Sequence, residues 1–250
     1  MPETCKLCLT TGLLVPESHI IPRWMYEWMC AMLSAGKRRM KIVSSHKAEF
    51  KKDSQSGIYD SFVCQDCEDR FGFWDNYAAT ILRKQPIATA QAWDFGQYDY
   101  ASLKRFFLSV LWRAHACERP FFEDVDLKHH AHTLAKCLLS DNSDTLKDFE
   151  VIPTWSDYPL SFGVLSPIQV PIETIPYWQL YLPRFQALIK VIDGPGAPCL
   201  QPWKMTPGKN LIMLEKDFTE FSEIDTVKQV AIENITKKNI KRRKKSQETH

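Results

Sequence analysis

The sequence predicts an α+β protein, and three of its patterns carry that prediction. Two Cys-x-x-Cys pairs, Cys5–Cys8 and Cys64–Cys67, enclose the first part of the chain. Apolar residues then recur at helical spacing between residues 100 and 117. From residue 161 onward, short β-branched and aromatic runs are separated by prolines, which is typical of antiparallel strands at sheet edges. We therefore expect a small cysteine-bound unit, then helices, then a small antiparallel sheet.

The cysteine pairs predict a structural zinc site. In a reducing compartment, paired Cys-x-x-Cys motifs bind metal more often than they form disulfides. Two such pairs supply four thiolates, and a closed tetrahedral Zn²⁺ site of this kind is structural rather than catalytic. The proposed zinc ligands are Cys5, Cys8, Cys64 and Cys67. The remaining cysteines lack this spacing and are expected to be small buried residues; they are Cys30, Cys117, Cys137 and Cys199.

Five helices are predicted in chain order from apolar periodicity and from start and stop signals. They are a helix between Pro22 and Gly36, one from Cys67 through Leu82, one over 100–117, one over about 127–139, and one starting at the capping box of residues 222–225. The expected strands are 161–165, 168–175, 177–182, 185–192 and 211–214. We place a domain boundary near residue 90, which separates a cysteine-bound domain at 1–90 from an α+β accessory domain at 91–250.

The net charge of +2 conceals an uneven distribution. Seven lysines and arginines lie in a basic tail at residues 237–245, so the rest of the chain carries a net charge of −5. Overall charge therefore gives no argument for nucleic-acid binding, and only local patches do. No apolar stretch approaches 18 residues and no signal peptide is visible, so we expect a cytoplasmic protein without a membrane partner.

Two local patches are candidates for phosphate contact. The first lies in a polar insert between the cysteine pairs, at residues 37–57. The alternative interpretation of this insert is a solvated loop without a binding role. The second is the basic tail. The candidate nucleic-acid-binding residues are Lys37, Arg38, Arg39, Lys41, Arg242 and Arg243.

One histidine stands between the cysteine pairs, in the run Ser18-His19-Ile20-Ile21-Pro22. Because four cysteines complete the zinc site, His19 is not needed as a zinc ligand. This arrangement, with Glu68 directly after the last cysteine, resembles the zinc-containing HNH endonucleases over residues 1–80. The resemblance implies a ββα-metal site of the treble-clef type, formed by a hairpin and a helix.

The same resemblance implies a function. HNH enzymes hydrolyse phosphodiester bonds with the histidine as general base and one Mg²⁺-type or Mn²⁺-type ion, so His19 would be the base. The family usually has an acidic residue before the histidine and an Asn or His on the helix as metal ligands. Here Ser18 and Glu68 stand at such positions. Glu68 would therefore bind the magnesium, alone or with Asp75 or Asn76.

The expected substrate is DNA, and RNA is less favoured. The resemblance also implies a place in bacterial antiviral defence, because HNH proteins of this layout are common there. A protein partner would then bind through residues 91–250. The alternative is a non-catalytic treble-clef zinc module that acts as a nucleic-acid-binding or protein-binding adaptor. The serine in place of an acid at position 18 supports that alternative.

Overall fold

The computed structural model describes residues 2–32, 40–43, 50–54, 57–155, 164–182 and 184–215, and it is a mixed α+β fold. The helices are Arg23–Met32 (α1), Gln65–Leu82 (α2), Tyr100–Ala116 (α3) and His130–Leu139 (α4). The strands are Glu3–Thr4 (β1), Thr11–Gly12 (β2), Ser18–His19 (β3), Met40–Val43 (β4), Phe50–Ser54 (β5), Tyr59–Asp60 (β6), Ile87–Ala88 (β7), Ala92–Asp94 (β8), Glu150–Trp155 (β9), Val164–Leu165 (β10), Ile168–Ile172 (β11), Ile175–Leu182 (β12), Phe185–Lys190 (β13) and Ile212–Glu215 (β14).

The main sheet is larger than the small antiparallel sheet expected from the sequence. Its seven strands lie in the order β11-β12-β13-β9-β14-β8-β7, and the β14–β9 pair is parallel. β9 was not predicted, because Pro153 falls in the middle of it and proline usually excludes a central strand. The strand tolerates Pro153 because β14 pairs with β9 only beyond it, at Thr154 and Trp155.

Helix α3 forms the centre of the protein. Apart from its first two residues and His115, the whole helix is buried, and it packs against α2 and α4. Asp99 caps its start by accepting a hydrogen bond from the backbone N–H of Ala101. One apolar core runs from Cys5 to Met213 and includes residues on both sides of position 90. The domain boundary placed near residue 90 stays a prediction.

The insert between the cysteine pairs contains a hairpin, β4–β5, which the sequence did not predict. β10 pairs in parallel with β4 through Val164–Ile42 and Leu165–Val43, so the insert joins the C-terminal half of the chain. Lys41 lies within β4. The other candidate nucleic-acid-binding residues, Lys37, Arg38, Arg39, Arg242 and Arg243, lie outside the described residues, as do the basic tail and the helix expected from residue 222.

Burial of the unpaired cysteines was predicted correctly for Cys117 and Cys137 and wrongly for Cys199. Cys199 is exposed because it lies in a surface 3-10 turn, Pro198–Trp203, none of whose residues is buried. The side chain of Cys30 lies outside the described part of the chain. Among the helices that the structure describes, none combines the length and apolar character needed to cross a membrane.

Candidate metal centre and histidine site

The four paired cysteines converge on one point, as their spacing predicted. Cys5 and Cys8 lie in the turn between β1 and β2, which closes with Leu9 in the left-handed region at φ 62°. Cys64 and Cys67 lie at the start of α2, where Cys64 takes the extended N-cap position. A backbone bridge between Leu14 and Cys64 brings the two segments together. We call this group the four-cysteine cluster.

The distances in the four-cysteine cluster match a tetrahedral metal site. All four Sγ atoms lie within 4.8 Å of one another, with Cys5–Cys67 at 3.7 Å and Cys8–Cys64 at 3.6 Å. Four sulfurs at about 2.3 Å from a zinc ion would be about 3.8 Å apart. Within the described residues, no other group of three or more His, Cys, Asp or Glu side chains lies close enough to hold a metal. The cluster could therefore hold a metal such as zinc.

Burial affects the four thiols unequally. It raises the pKa of Cys5 and of Cys67, which are almost fully buried. Burial opposes ionisation of Cys8 too, but hydrogen bonding from Thr10, whose Oγ1 lies 2.9 Å from the Cys8 sulfur, lowers the pKa of Cys8 to about 6. A divalent cation in the cluster would favour the thiolate form of all four, because thiolates are its ligands.

The loop of the first cysteine pair also binds the end of α3. Lys6 Nζ donates to the carbonyl oxygen of Ala116, the last helical residue, at 2.9 Å. The same ammonium contacts Glu118 at 2.8 Å. A cation at this place satisfies a terminal carbonyl and opposes the negative end of the helix dipole.

His19 lies in the short β3–β6 pair, opposite Tyr59. The two rings are 5.8 Å apart between centroids and inclined at 51°. β3 continues into Ile20, whose backbone N–H donates to Ile58 at 3.1 Å. The His19 side chain is half-buried, so it has access to solvent while its backbone is fixed on both sides.

Ser18 connects the strand of the histidine to α2. It is fully buried, and its Oγ donates to Glu68 Oε2 at 2.5 Å. Glu68 lies in the first turn of α2, where the positive end of the helix dipole favours a carboxylate. The structure thus brings the Glu68 carboxylate into contact with Ser18, the residue that precedes His19. We call Ser18, His19 and Glu68 the histidine site.

An ion pair lies behind the histidine site. Arg113 of α3 contacts Asp75 of α2 through both carboxylate oxygens, at 2.7 and 3.0 Å, and it also donates to the carbonyl oxygen of His19 at 2.9 Å. Burial raises the pKa of Asp75, and the guanidinium opposes that rise. Both Asp75 oxygens bind Arg113, and Asn76 is exposed. The metal-ligand role considered for these two residues from the sequence stays a prediction.

Sequence reasoning missed Arg113, although a signal was present. Arg113 follows Phe106 and Val110 at spacings of seven and three residues, which places it on the apolar face of α3. A charged residue on a core face requires a buried partner. No protein-family model, curated protein or solved structure matches this chain.

Proposed function

We propose that the chain is a zinc-stabilised endonuclease that hydrolyses phosphodiester bonds in DNA with the help of a second, divalent cation. The observation that carries the proposal is the Ser18–Glu68 contact between β3 and α2. In the HNH endonucleases that the sequence resembles, the residue before the histidine and a residue on the helix supply the metal ligands. In this chain the residues at those two places touch each other, beside His19 and next to the four-cysteine cluster.

Glu68 and Ser18 would hold the divalent cation. Mg²⁺ binds oxygen ligands and is often held by one or two carboxylates, with water and substrate phosphates completing its shell. One carboxylate and one hydroxyl fit that pattern, and they imply weak binding that the substrate strengthens. The cation would neutralise charge that develops on the phosphate and its leaving oxygen.

His19 would accept a proton from the attacking water. Histidine is the side chain that most often transfers protons near neutral pH. The His19 ring is half-buried. Its backbone is held by the hydrogen bond from Arg113 to the His19 carbonyl oxygen and by the pairing of β3 with β6. A base on a fixed backbone loses little freedom when substrate binds, which favours catalysis.

The test compares His19→Ala with a histidine that lies elsewhere. Plasmid cleavage is measured in Mg²⁺ and in Mn²⁺ for the full chain, for His19→Ala and for His132→Ala, whose side chain is exposed on α4. We expect His19→Ala to lower the rate by about 10²-fold to 10⁴-fold, as for loss of a general base. His132→Ala should cleave at the rate of the parent, and all three proteins should keep their zinc. Equal cleavage by His19→Ala would remove this residue from the mechanism.

The second candidate is a non-catalytic zinc module that binds nucleic acid or protein. It is favoured by the pairing of side chains around the site, since Ser18 donates to Glu68 and both oxygens of Asp75 bind Arg113. Absence of cleavage in either metal, with zinc bound and with retained DNA affinity, would support this candidate. Both candidates use the four-cysteine cluster in the same way, so zinc content does not separate them.

A further inference from the structure

Arg113 uses its whole guanidinium group to join three segments of the chain. The side chain is almost completely buried. Nη1 donates to His19 O at 2.9 Å and to Asp75 Oδ2 at 3.0 Å, while Nη2 donates to Asp75 Oδ1 at 2.7 Å. β3, α2 and α3 therefore meet at one planar cation.

The remaining donors of Arg113 are occupied within α3 itself. Nη2 also donates to Ser109 Oγ at 3.1 Å, and Nε donates to the Ser109 carbonyl oxygen at 3.4 Å. The guanidinium carbon lies 4.9 Å from the centroid of the Phe71 ring, so the flat face of the group is covered as well. A lysine in this place offers a single ammonium and cannot reproduce the fork.

We propose that Arg113 is a positioning residue, which holds the backbone of His19 at a fixed place relative to α2. The inference rests on the proposed function, because only in a nuclease does the contact of Arg113 with the His19 carbonyl oxygen affect cleavage. It also assigns a task to residues beyond position 90: helix α3 completes the geometry of a site whose ligands and base all lie in residues 1–80. Arg113 does not touch the reacting atoms and acts only through His19 and Asp75.

The consequence for catalysis is geometric. Loss of the fork releases the His19 carbonyl and leaves Asp75 without its partner, so β3 is free to shift relative to Glu68. A misplacement of about 1 Å at a reacting group can cost about 10²-fold in rate. DNA binding by surface cations would be unaffected, because such contacts are largely electrostatic and do not involve the His19 backbone. The expected signature is thus a change in kcat with little change in KM.

The chain offers a matched control on the same helix. Arg105 also lies on α3 and is 8% exposed, against 1% for Arg113. Its guanidinium donates to the carbonyl oxygens of Ser140 and Asn142, away from the histidine site. Arg105→Lys and Arg113→Lys therefore both disturb a buried arginine of α3, and only the second disturbs a contact to His19.

The experiment uses the full chain with zinc bound. We expect Arg113→Lys to lower kcat for plasmid cleavage by about 10²-fold, with KM changed by less than about threefold. Arg105→Lys should lower kcat by less than about threefold, even if it lowers the melting temperature by as many degrees as Arg113→Lys does. Equal losses of kcat in the two variants would overturn the proposal, since they would show only a general loss of stability.

A spectroscopic readout separates this inference from the proposed function. The imidazole signals of His19, identified by their absence in His19→Ala, are recorded by NMR in both lysine variants. A shift of these signals in Arg113→Lys and not in Arg105→Lys supports the positioning role, even if the parent protein cleaves no plasmid. Unchanged His19 signals in Arg113→Lys overturn it, even if the parent is an active nuclease.

A second variant, on the other side of the ion pair, decides the matter if Arg113→Lys does not fold. Asp75→Asn keeps the shape of the carboxylate and removes its charge, so it weakens the fork while leaving Arg113 on His19 O. We expect a loss of kcat of about 10-fold and a shift of the Ile20 backbone amide signal, which belongs to the same peptide group as the His19 carbonyl. The His19 ring signals are not the readout for this variant, because the charge of Asp75 acts on that ring directly. Parent-like kcat and a parent-like Ile20 amide signal in folded Asp75→Asn would count against the proposal.

Discussion

The four-cysteine cluster and the histidine site lie side by side but are built in different ways. The cluster takes its ligands from two short motifs, and each motif places two sulfurs within one turn of chain. The histidine site takes Ser18 and His19 from a strand and Glu68 from a helix, and Arg113 of a second helix supports it. A metal cluster can thus be encoded by local spacing, whereas a site of mixed groups depends on the packing of distant elements.

The two regions also differ in how they balance charge. The cluster gathers four thiols, and the thiolate forms of the two that are almost fully buried, Cys5 and Cys67, depend on a nearby cation. The carboxylate of the histidine site, Glu68, accepts a hydrogen bond from a hydroxyl, and Asp75 behind the site is paired with a guanidinium. Removal of metal should therefore destabilise the four-cysteine cluster strongly and the histidine site only slightly.

The largest expected effect comes from breaking the cluster. Cys67→Ser removes a buried ligand, and we expect zinc content to fall from about one ion per chain to none. Structural zinc contributes roughly 10–16 kcal/mol in zinc-finger peptides, which is comparable with the whole stability of a small domain. The variant should lose its cooperative thermal transition. Cys199→Ser, at an exposed cysteine, should match the parent in zinc content and melting temperature. Retention of zinc by Cys67→Ser would show that the cluster is not its site.

An intermediate effect is expected from giving the histidine site a second acid. Ser18→Asp places a second carboxylate against Glu68 at a fully buried position, so with zinc bound and no Mn²⁺ or Mg²⁺ added we expect a loss of about 3–5 kcal/mol in the free energy of unfolding. Mn²⁺ should restore stability, by about 2.7 kcal/mol at 100 times its Kd, and this is measured by thermal unfolding across a Mn²⁺ titration. Ser18→Asn is the neutral control and should gain no dependence on Mn²⁺. An identical response of the two variants would show that no cation binds between positions 18 and 68.

The smallest effect tests whether the packing beside β3 and β6 can be destabilised without affecting the four-cysteine cluster. Gly57 has φ +88°, and an added Cβ would lie 2.3 Å from the buried ring of Tyr26. Gly57→Ala should therefore lower the free energy of unfolding by about 1–3 kcal/mol in a urea titration, while zinc content is unchanged. Gly12→Ala lies in β2 near the cluster, with no atom within 4 Å of the added Cβ, and should cost under about 1 kcal/mol. Similar costs at the two glycines would remove the steric reason given for Gly57.

The sequence allowed the helices to be predicted better than the sheet. Helix α3 was placed almost to the residue, because its apolar periodicity is strong; in the structure it is capped by Asp99 and Cys117. β9 was missed, since its proline is tolerated only through an offset in pairing that involves β14, about 60 residues away. The hairpin β4–β5 was missed because a run of charged residues resembles a solvated loop.

The two sites also differ in whether local sequence or distant contacts determine them. Cys-x-x-Cys spacing was enough to predict the four-cysteine cluster, since ligand type and spacing are local. The pairing of Ser18 with Glu68 was not predicted, although both residues were considered, because a hydrogen bond across 50 residues has no local pattern. Arg113 bonds to His19 across 94 residues and was missed for the same reason. The role of His19 in catalysis stays a prediction.

The contact of Lys6 with the end of α3 would couple metal binding at the four-cysteine cluster to the histidine site. Lys6 lies between Cys5 and Cys8, and Arg113 lies in the helical turn that ends at Ala116. If zinc binding orders this loop, it would also favour an ordered last turn of α3, and such coupling is reciprocal. A change that loosens Arg113 should make zinc easier to remove. The rate at which a chelator extracts zinc thus reports on how firmly α3 holds the histidine strand.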